Sequence, residues 1–144
     1  MTRAAGLPRY EVSNHARPGA ESRHNLTYWR SGDYAGIGPG AHGRRGGVAT
    51  ARHKKPENWL AATTRNGHGT QVEEPLSADQ RASEALVMGL RMTEGLTVDP
   101  ARVGLDAVDA LAGHGLLRRD GLHVATTEAG ILLLDSILPA IARD

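Results

Sequence analysis

Hydrophobic positions along the chain fall into short runs whose spacing changes from one half to the other. In residues 9–14, Tyr10 and Val12 alternate with polar neighbours between Pro8 and the breaker Ala16-Arg17-Pro18-Gly19, the two-residue period of a short strand. Ser22 is placed to cap one or two helical turns over residues 22–30. Residues 34–37 and 46–52 read as two further short strands. Residues 56–66 read as a helix, with Pro56 in its first turn and Trp59 and Leu60 on its inner face. After residue 75 the spacing becomes helical. Ser77-Ala78-Asp79-Gln80 is a capping box, in which Ser and Gln satisfy each other's exposed amides ahead of Ala82, Leu86 and Leu90. A short helix is expected at 99–103. A longer one is expected at 105–115, with Leu105, Val108 and Leu111 on one face and Gly113 or Gly115 ending it. Asp120-Gly121 predicts a hairpin between residues 116–119 and 122–125. Thr126 or Thr127 then caps a last helix carrying Ile131, Leu134 and Leu138.

Three helices, a hairpin and a helix make a winged-helix-like order in the second half. The pieces of the first half are too few to close a sheet and bury both its faces, so they read as the tail of a larger α/β domain. The expected architecture is an α/β remnant over residues 1–72 followed by a small, mostly α, winged-helix-like domain over residues 73–144. Composition supports the division. Residues 1–72 carry 11 Lys/Arg against 4 Asp/Glu, and residues 73–144 carry 6 against 12, so a net charge of +1 conceals halves of about +7 and −6. All five aromatics lie in the first half, and 13 of 16 leucines lie from Leu76 onward.

At 144 residues, with 40% hydrophobic and 23% charged residues, the composition is that of a soluble globular protein. The longest apolar run, residues 131–134, is far too short to cross a bilayer, and the first residues lack the apolar stretch of a signal peptide; the cytoplasm is the default location. With no cysteine there is no disulfide, no thiol nucleophile and no ligand set for an iron–sulfur cluster. No G-x-S-x-G elbow, H-E-x-x-H pair or phosphate loop occurs, and Ser, His and Asp show no spacing that singles out a triad. The run from Gly36 to Ala41 has the G-x-G-x-x-A spacing of a dinucleotide fingerprint, but Gly43-Arg44-Arg45-Gly46-Gly47 follows where a helix would have to start, so that reading fails.

Three motifs occur in order: Tyr10-Glu11-Val12-Ser13-Asn14, then Arg23-His24-Asn25-Leu26-Thr27-Tyr28-Trp29, then Asp33-Tyr34-Ala35-Gly36-Ile37-Gly38-Pro39-Gly40-Ala41-His42. They resemble consecutive motifs of the radical-SAM heme chaperone and oxygen-independent coproporphyrinogen III oxidase-like family, sharply over residues 6–45 and more loosely from 75 onward. The resemblance implies that the first half ends a partial radical-SAM barrel and that the second half is the family's small C-terminal helical domain. It also implies a parent protein that is radical-SAM oxidoreductase-like and holds a [4Fe-4S] cluster and S-adenosylmethionine. The family's Cys-x-x-x-Cys-x-x-Cys loop is absent here, so the chain reads as a fragment or a misassigned start and, by itself, as not an enzyme. Where the oxidases carry an Asn-Phe-Gln-Gly-Tyr-Thr-like run this chain has Asn25-Leu26-Thr27-Tyr28-Trp29, and Trp29 with His24 favours the chaperone branch. That branch implies heme as ligand and acceptor hemoproteins as partners.

The candidate heme-binding residues are His24, Asn25, Tyr28 and Trp29, with His24 as the metal ligand. A neutral imidazole is a good axial ligand to heme iron, two aromatics suit a porphyrin face, and His24 and Tyr28 share one helix face at i and i+4. The alternative is that His24 and Asn25 cap a helix while Tyr28 and Trp29 are barrel core. His15 and His42 are weaker ligand candidates, and His53, His68, His114 and His123 read as surface histidines. By resemblance the loop of Gly36, Gly38, Gly40, Ala41 and His42 faces the barrel mouth, where substrate and S-adenosylmethionine sit; a plain tight turn is the other reading. Arg44, Arg45, Arg52, Lys54 and Lys55 form a basic cluster suited to propionates, lipid headgroups at a membrane surface or an acidic partner, or simply to solvent. Two rival functions remain, a fragment of the oxidase and a winged-helix nucleic-acid module. The latter is disfavoured because the helix over 105–115 carries Asp106 and Asp109 and no Lys or Arg, so no nucleic-acid partner is expected.

Overall fold

The computed structural model describes residues 2–143. In chain order the helices are α1 (Arg23–Trp29), α2 (Pro56–Asn66), α3 (Ala78–Gly89), α4 (Leu105–Gly113) and α5 (Leu134–Ile141), and the strands are β1 (His42–Arg45), β2 (Val48–Arg52), β3 (Thr70–Pro75), β4 (Leu96–Thr97), β5 (Leu117–Asp120) and β6 (His123–Thr126). The described residues group into two compact units, one of residues 1–30 with 84–144 and one of residues 31–83. Each is a mixture of helix and strand built on an open three-stranded sheet.

The unit of residues 31–83 holds the antiparallel sheet β1-β2-β3 and helix α2. β1 and β2 pair Arg45 with Val48 across Gly46-Gly47, whose φ angles of 57° and 78° meet the two left-handed positions of a tight hairpin turn. Helix α2 starts on Pro56, whose missing N–H costs nothing at a first turn. Its inner face differs from the expected one. Leu60 is 61% exposed, whereas Ala62 is buried and Trp59 lies so close to Gly69 that a Cβ there would fall 2.2 Å from the indole. Ser77 and Gln80 form the expected reciprocal cap, Gln80 N–H donating to Ser77 Oγ at 3.1 Å and Ser77 N–H to Gln80 Oε1 at 2.7 Å.

The unit of residues 1–30 and 84–144 holds the apolar core of Leu86, Leu90, Val98, Val103, Val108, Leu117, Val124, Ile131, Leu134, Ile137 and Ile141. Of the helical-period positions, Leu86, Leu90, Val108, Ile131 and Leu134 lie in this core and Leu105, Leu111 and Leu138 pack against it, whereas Ala82 is not part of it. Helix α4 ends at Gly113, with Leu116 N–H reaching back to the Leu111 carbonyl at 3.0 Å. The hairpin β5–β6 pairs Asp120 with His123, so its two turn residues are Gly121 and Leu122, one position later than Asp120-Gly121. β4 adds to the other edge of β6, giving the order β4-β6-β5. Thr127 caps the segment after it, its Oγ1 accepting from Gly130 N–H at 3.0 Å, and a 3-10 stretch over Gly130–Leu133 leads into α5. The expected short helix at 99–103 is a turn instead, held by Arg102 and Val103 N–H groups on the Asp99 carbonyl.

The expected strand over residues 9–14 is a doubled-back loop. Tyr10 N–H donates to the Asn14 carbonyl and Ala16 N–H to the Pro8 carbonyl, both at 3.1 Å, leaving only single bridges Arg9–His15 and Glu11–Met92. The apolar alternation is inverted there. Glu11 is 1% exposed while Val12 is 37% exposed, and Glu11 Oε2 accepts from Ser13 N–H within the loop. Residues 34–37 likewise contribute a single bridge, Tyr34–Arg44, rather than a strand. Among the described residues no helix is long and apolar enough to cross a membrane.

Candidate functional site

Helix α1 brings the four predicted heme contacts onto one seven-residue segment. Ser22 caps it, its hydroxyl accepting from Asn25 N–H at 3.4 Å, so neither His24 nor Asn25 is the capping side chain. The Asn25 amide instead donates to the Tyr10 hydroxyl at 3.3 Å, tying α1 to the 8–16 loop. At its other end Arg30 clamps Glu94 through two hydrogen bonds of 2.8 Å, from Nε and Nη2 to the two carboxylate oxygens. This contact holds Glu94 below its ordinary carboxylate range and raises the Arg30 guanidinium. Trp29 is half-buried, with the Arg91 guanidinium 5.8 Å above its ring and Tyr28 edge-on at 5.2 Å and 72°.

The helix is therefore fixed at its start, middle and end, while His24 stays outside that network. Its ring is exposed and hydrogen-bonds to none of the described residues. Tyr28, one turn on, is 38% exposed on the same face. This face of α1 therefore presents an exposed imidazole and an exposed phenol one turn apart. For an iron–sulfur cluster the chain offers no thiolate, having no cysteine, and among the described residues no group of three His, Asp or Glu side chains gathers to hold a metal.

The other predicted residues lie in the unit of residues 31–83. Gly36 is buried, and a Cβ there would fall 2.4 Å from the His42 carbonyl oxygen; a Cβ at Gly43 would fall 2.8 Å from the Gly36 nitrogen. These two glycines thus let the loop close on its own backbone. Gly38 and Gly40 have φ of 90° and 72°, and Gly40 N–H donates to the His53 carbonyl at 2.8 Å. Ala41 is half-buried and His42 exposed at the start of β1. Within the basic cluster, Arg52 Nε donates to the Gly36 carbonyl at 3.1 Å and Arg44 bridges Tyr34, so both brace the loop, while Arg45, Lys54 and Lys55 are exposed. Of the remaining histidines, His123 Nε2 contacts the Glu94 carbonyl at 2.7 Å and His15 Nδ1 the Leu7 carbonyl at 3.3 Å. Sequence reasoning missed Tyr10, Arg30, Arg91 and Glu94 as supports of α1. Three of these lie far from the helix in sequence, and no local period marks such partners.

Residues 76–133 match the HemN C-terminal domain. The mouse protein "Radical S-adenosyl methionine domain-containing protein 1, mitochondrial" is 39% identical over 158 residues, covering 96% of this chain and 36% of the relative. Heme chaperone HemW of Mycobacterium tuberculosis (strain ATCC 25618 / H37Rv) is 38% identical over 94% of this chain and 35% of its own length, and HemW of Escherichia coli (strain K12) 33% identical over 94% and 38%. The chain thus spans little more than a third of the relatives it matches. The solved structure of coproporphyrinogen III oxidase (HemN) from Escherichia coli, a radical SAM enzyme, superposes with a TM-score of 0.70 at 18% identity, over 96% of this chain and 38% of that one. The chain corresponds to the C-terminal portion of the radical-SAM heme chaperone and coproporphyrinogen III oxidase-like family.

Proposed function

We propose that this chain supplies the heme-contacting segment of a radical-SAM heme chaperone, which binds heme through His24 and passes it to acceptor hemoproteins. The observation that carries the reading is the exposed imidazole of His24, which hydrogen-bonds to none of the described residues, on a helix otherwise locked by Ser22, Asn25–Tyr10 and Arg30–Glu94. A chaperone must release its cargo, and a single axial nitrogen on an open helix face suits loading and release better than an enclosed pocket would. Tyr28 lies beside the ligand, Trp29 anchors the helix from below, and Asn25 fixes the helix to the 8–16 loop. In this reading residues 1–72 are the end of the parent's barrel, 73–144 its winged-helix-like domain, and the Gly36–His42 loop faces the parent's S-adenosylmethionine site. The cluster and S-adenosylmethionine would be held by parts of the longer family protein outside this chain.

Hemin titration tests the assignment. The parent chain is expected to give a Soret band that His24→Ala shifts and weakens and that His114→Ala leaves unchanged, since losing the coordinating nitrogen alters the iron's ligand field and losing a bystander does not. Identical spectra and affinities for the parent and both variants would remove His24 as the ligand.

A further inference from the structure

Apart from the α1 face, the unit of residues 1–30 and 84–144 contains a cavity of about 620 Å³ whose wall is strongly cationic. Arg3, Arg9 and Arg118 line it, with His15 at the same wall and Glu128 as its one acidic residue. The size lies within the range of roughly 300–1,000 Å³ usual for small-molecule sites and well beyond what one bound ion fills. We propose that this cavity binds a small organic polyanion, a molecule with two or more carboxylate or phosphate groups, through the guanidinium groups of Arg3, Arg9 and Arg118.

The donors left over at the cavity make the case. Arg9 has a side chain only 10% exposed, and although one terminal nitrogen meets Glu128 at 3.2 Å, its buried Nε–H has no acceptor among the described residues. That Nε is itself closed to solvent, so an anion in the cavity would meet Arg9 through its terminal N–H groups. Glu128 is itself 74% exposed, so it is a weak counter-charge for Arg9, and Arg3 and Arg118 have no carboxylate partner among the described residues. Arg118 spends Nη2 on the Thr93 carbonyl at 3.1 Å, which fixes its plane against the cavity wall and leaves its other N–H groups to donate. The Thr127 hydroxyl, by contrast, is committed to the Gly115 carbonyl at 2.7 Å and cannot donate inward. Recognition therefore falls to planar, fixed-charge guanidiniums, whose fork geometry matches carboxylate and phosphate oxygens. The inference does not depend on the heme assignment, since none of these residues lies on α1.

Calorimetric titration of the full chain at low salt with citrate and, separately, with pyrophosphate tests it. Saturable binding of at least one probe is expected, weakened at least about tenfold by Arg118→Gln, as loss of a charge-assisted hydrogen bond implies. Arg65→Gln, which removes an equal charge from α2, is expected to change the affinity less than twofold. Citrate binding without pyrophosphate binding assigns the site to carboxylates, and the reverse assigns it to phosphates. Arg118 is exposed, so its variant keeps the fold, which a circular-dichroism melt checks; Arg9→Gln is a second probe whose effect should exceed that of Arg65→Gln. No saturable heat from either probe, or equal weakening by Arg65→Gln and Arg118→Gln, would overturn the proposal.

Discussion

Leu90 sits at the point where the core and the α1 support meet, and its truncation is the most informative change to the fold. It is fully buried at the end of α3, its carbonyl accepts the Thr126 hydroxyl at 3.1 Å, and the next two residues are Arg91, over Trp29, and Met92, bridged to Glu11. Leu90→Ala removes three carbons, worth about 0.8 kcal/mol each or roughly 2.4 kcal/mol in transfer energy. The hole they leave in a close-packed core adds to this, so the total cost is about 3–5 kcal/mol. Against a total stability of about 5–15 kcal/mol, that is a large fraction. Leu132→Ala removes the same atoms from a position 83% exposed and should cost less than about 0.5 kcal/mol. Urea unfolding followed by far-UV circular dichroism measures both, and in Leu90→Ala tryptophan fluorescence should also report a loosened Trp29. A loss below about 1 kcal/mol for Leu90→Ala, or equal losses for the two variants, would refute the packing argument.

Glu94, lowered by its hydrogen bonds from Arg30, gives stability that is fully present above its unfolded value of about 4.5 and lost as the pH falls through its lower folded value. Because both partners are about half exposed, the unfolding free energy of the parent, measured by urea titration, should exceed that of Glu94→Gln by less than about 1 kcal/mol at pH 7, with the gap closing toward pH 3; a gap that widens in acid would contradict this. Gly130→Ala should lower the melting temperature by several degrees, since its Cβ would fall 1.8 Å from the Leu116 carbonyl oxygen, whereas Gly113→Ala, with open space around it at the end of α4, should raise stability by about 0.5–1 kcal/mol. Anaerobic reconstitution with iron and sulfide should leave the chain without a stoichiometric cluster and without 5′-deoxyadenosine formation, because no thiolate is present.

The helical parts were legible because their signals are local. The Ser77/Gln80 box, Pro56 at the start of α2, and the Leu86–Leu90 and Ile131–Leu134 spacings each fix an element within one or two turns. The strands were legible only in part: residues 46–52 hold β2 and Asp120-Gly121 marked the β5–β6 hairpin within one position, but β1 and β3 left no such mark. β1 is His42-Gly43-Arg44-Arg45, with no apolar side chain to show a period, and β3 is polar and exposed along most of its length. Both exist because β2 pairs with them, a non-local cause. The loop at residues 9–14 misled for the opposite reason: Tyr10 and Val12 alternate, yet the chain turns back on itself and buries Glu11 instead. The helix carrying the candidate site was visible from Ser22 and the His24–Tyr28 spacing. Its distant anchors, Tyr10, Arg91 and Glu94, emerge only when the chain is folded.

Chemical rescue tests the role of His24 most directly. His24→Gly deletes the imidazole without filling its place, and free imidazole can then supply the missing axial nitrogen. Hemin-loaded His24→Gly should lose the parent's Soret position and recover it as imidazole is added, while His15→Gly and His42→Gly keep the parent spectrum throughout. A His24→Gly spectrum that matches the parent without imidazole, or an imidazole-dependent recovery found in His15→Gly or His42→Gly instead, would contradict the assignment.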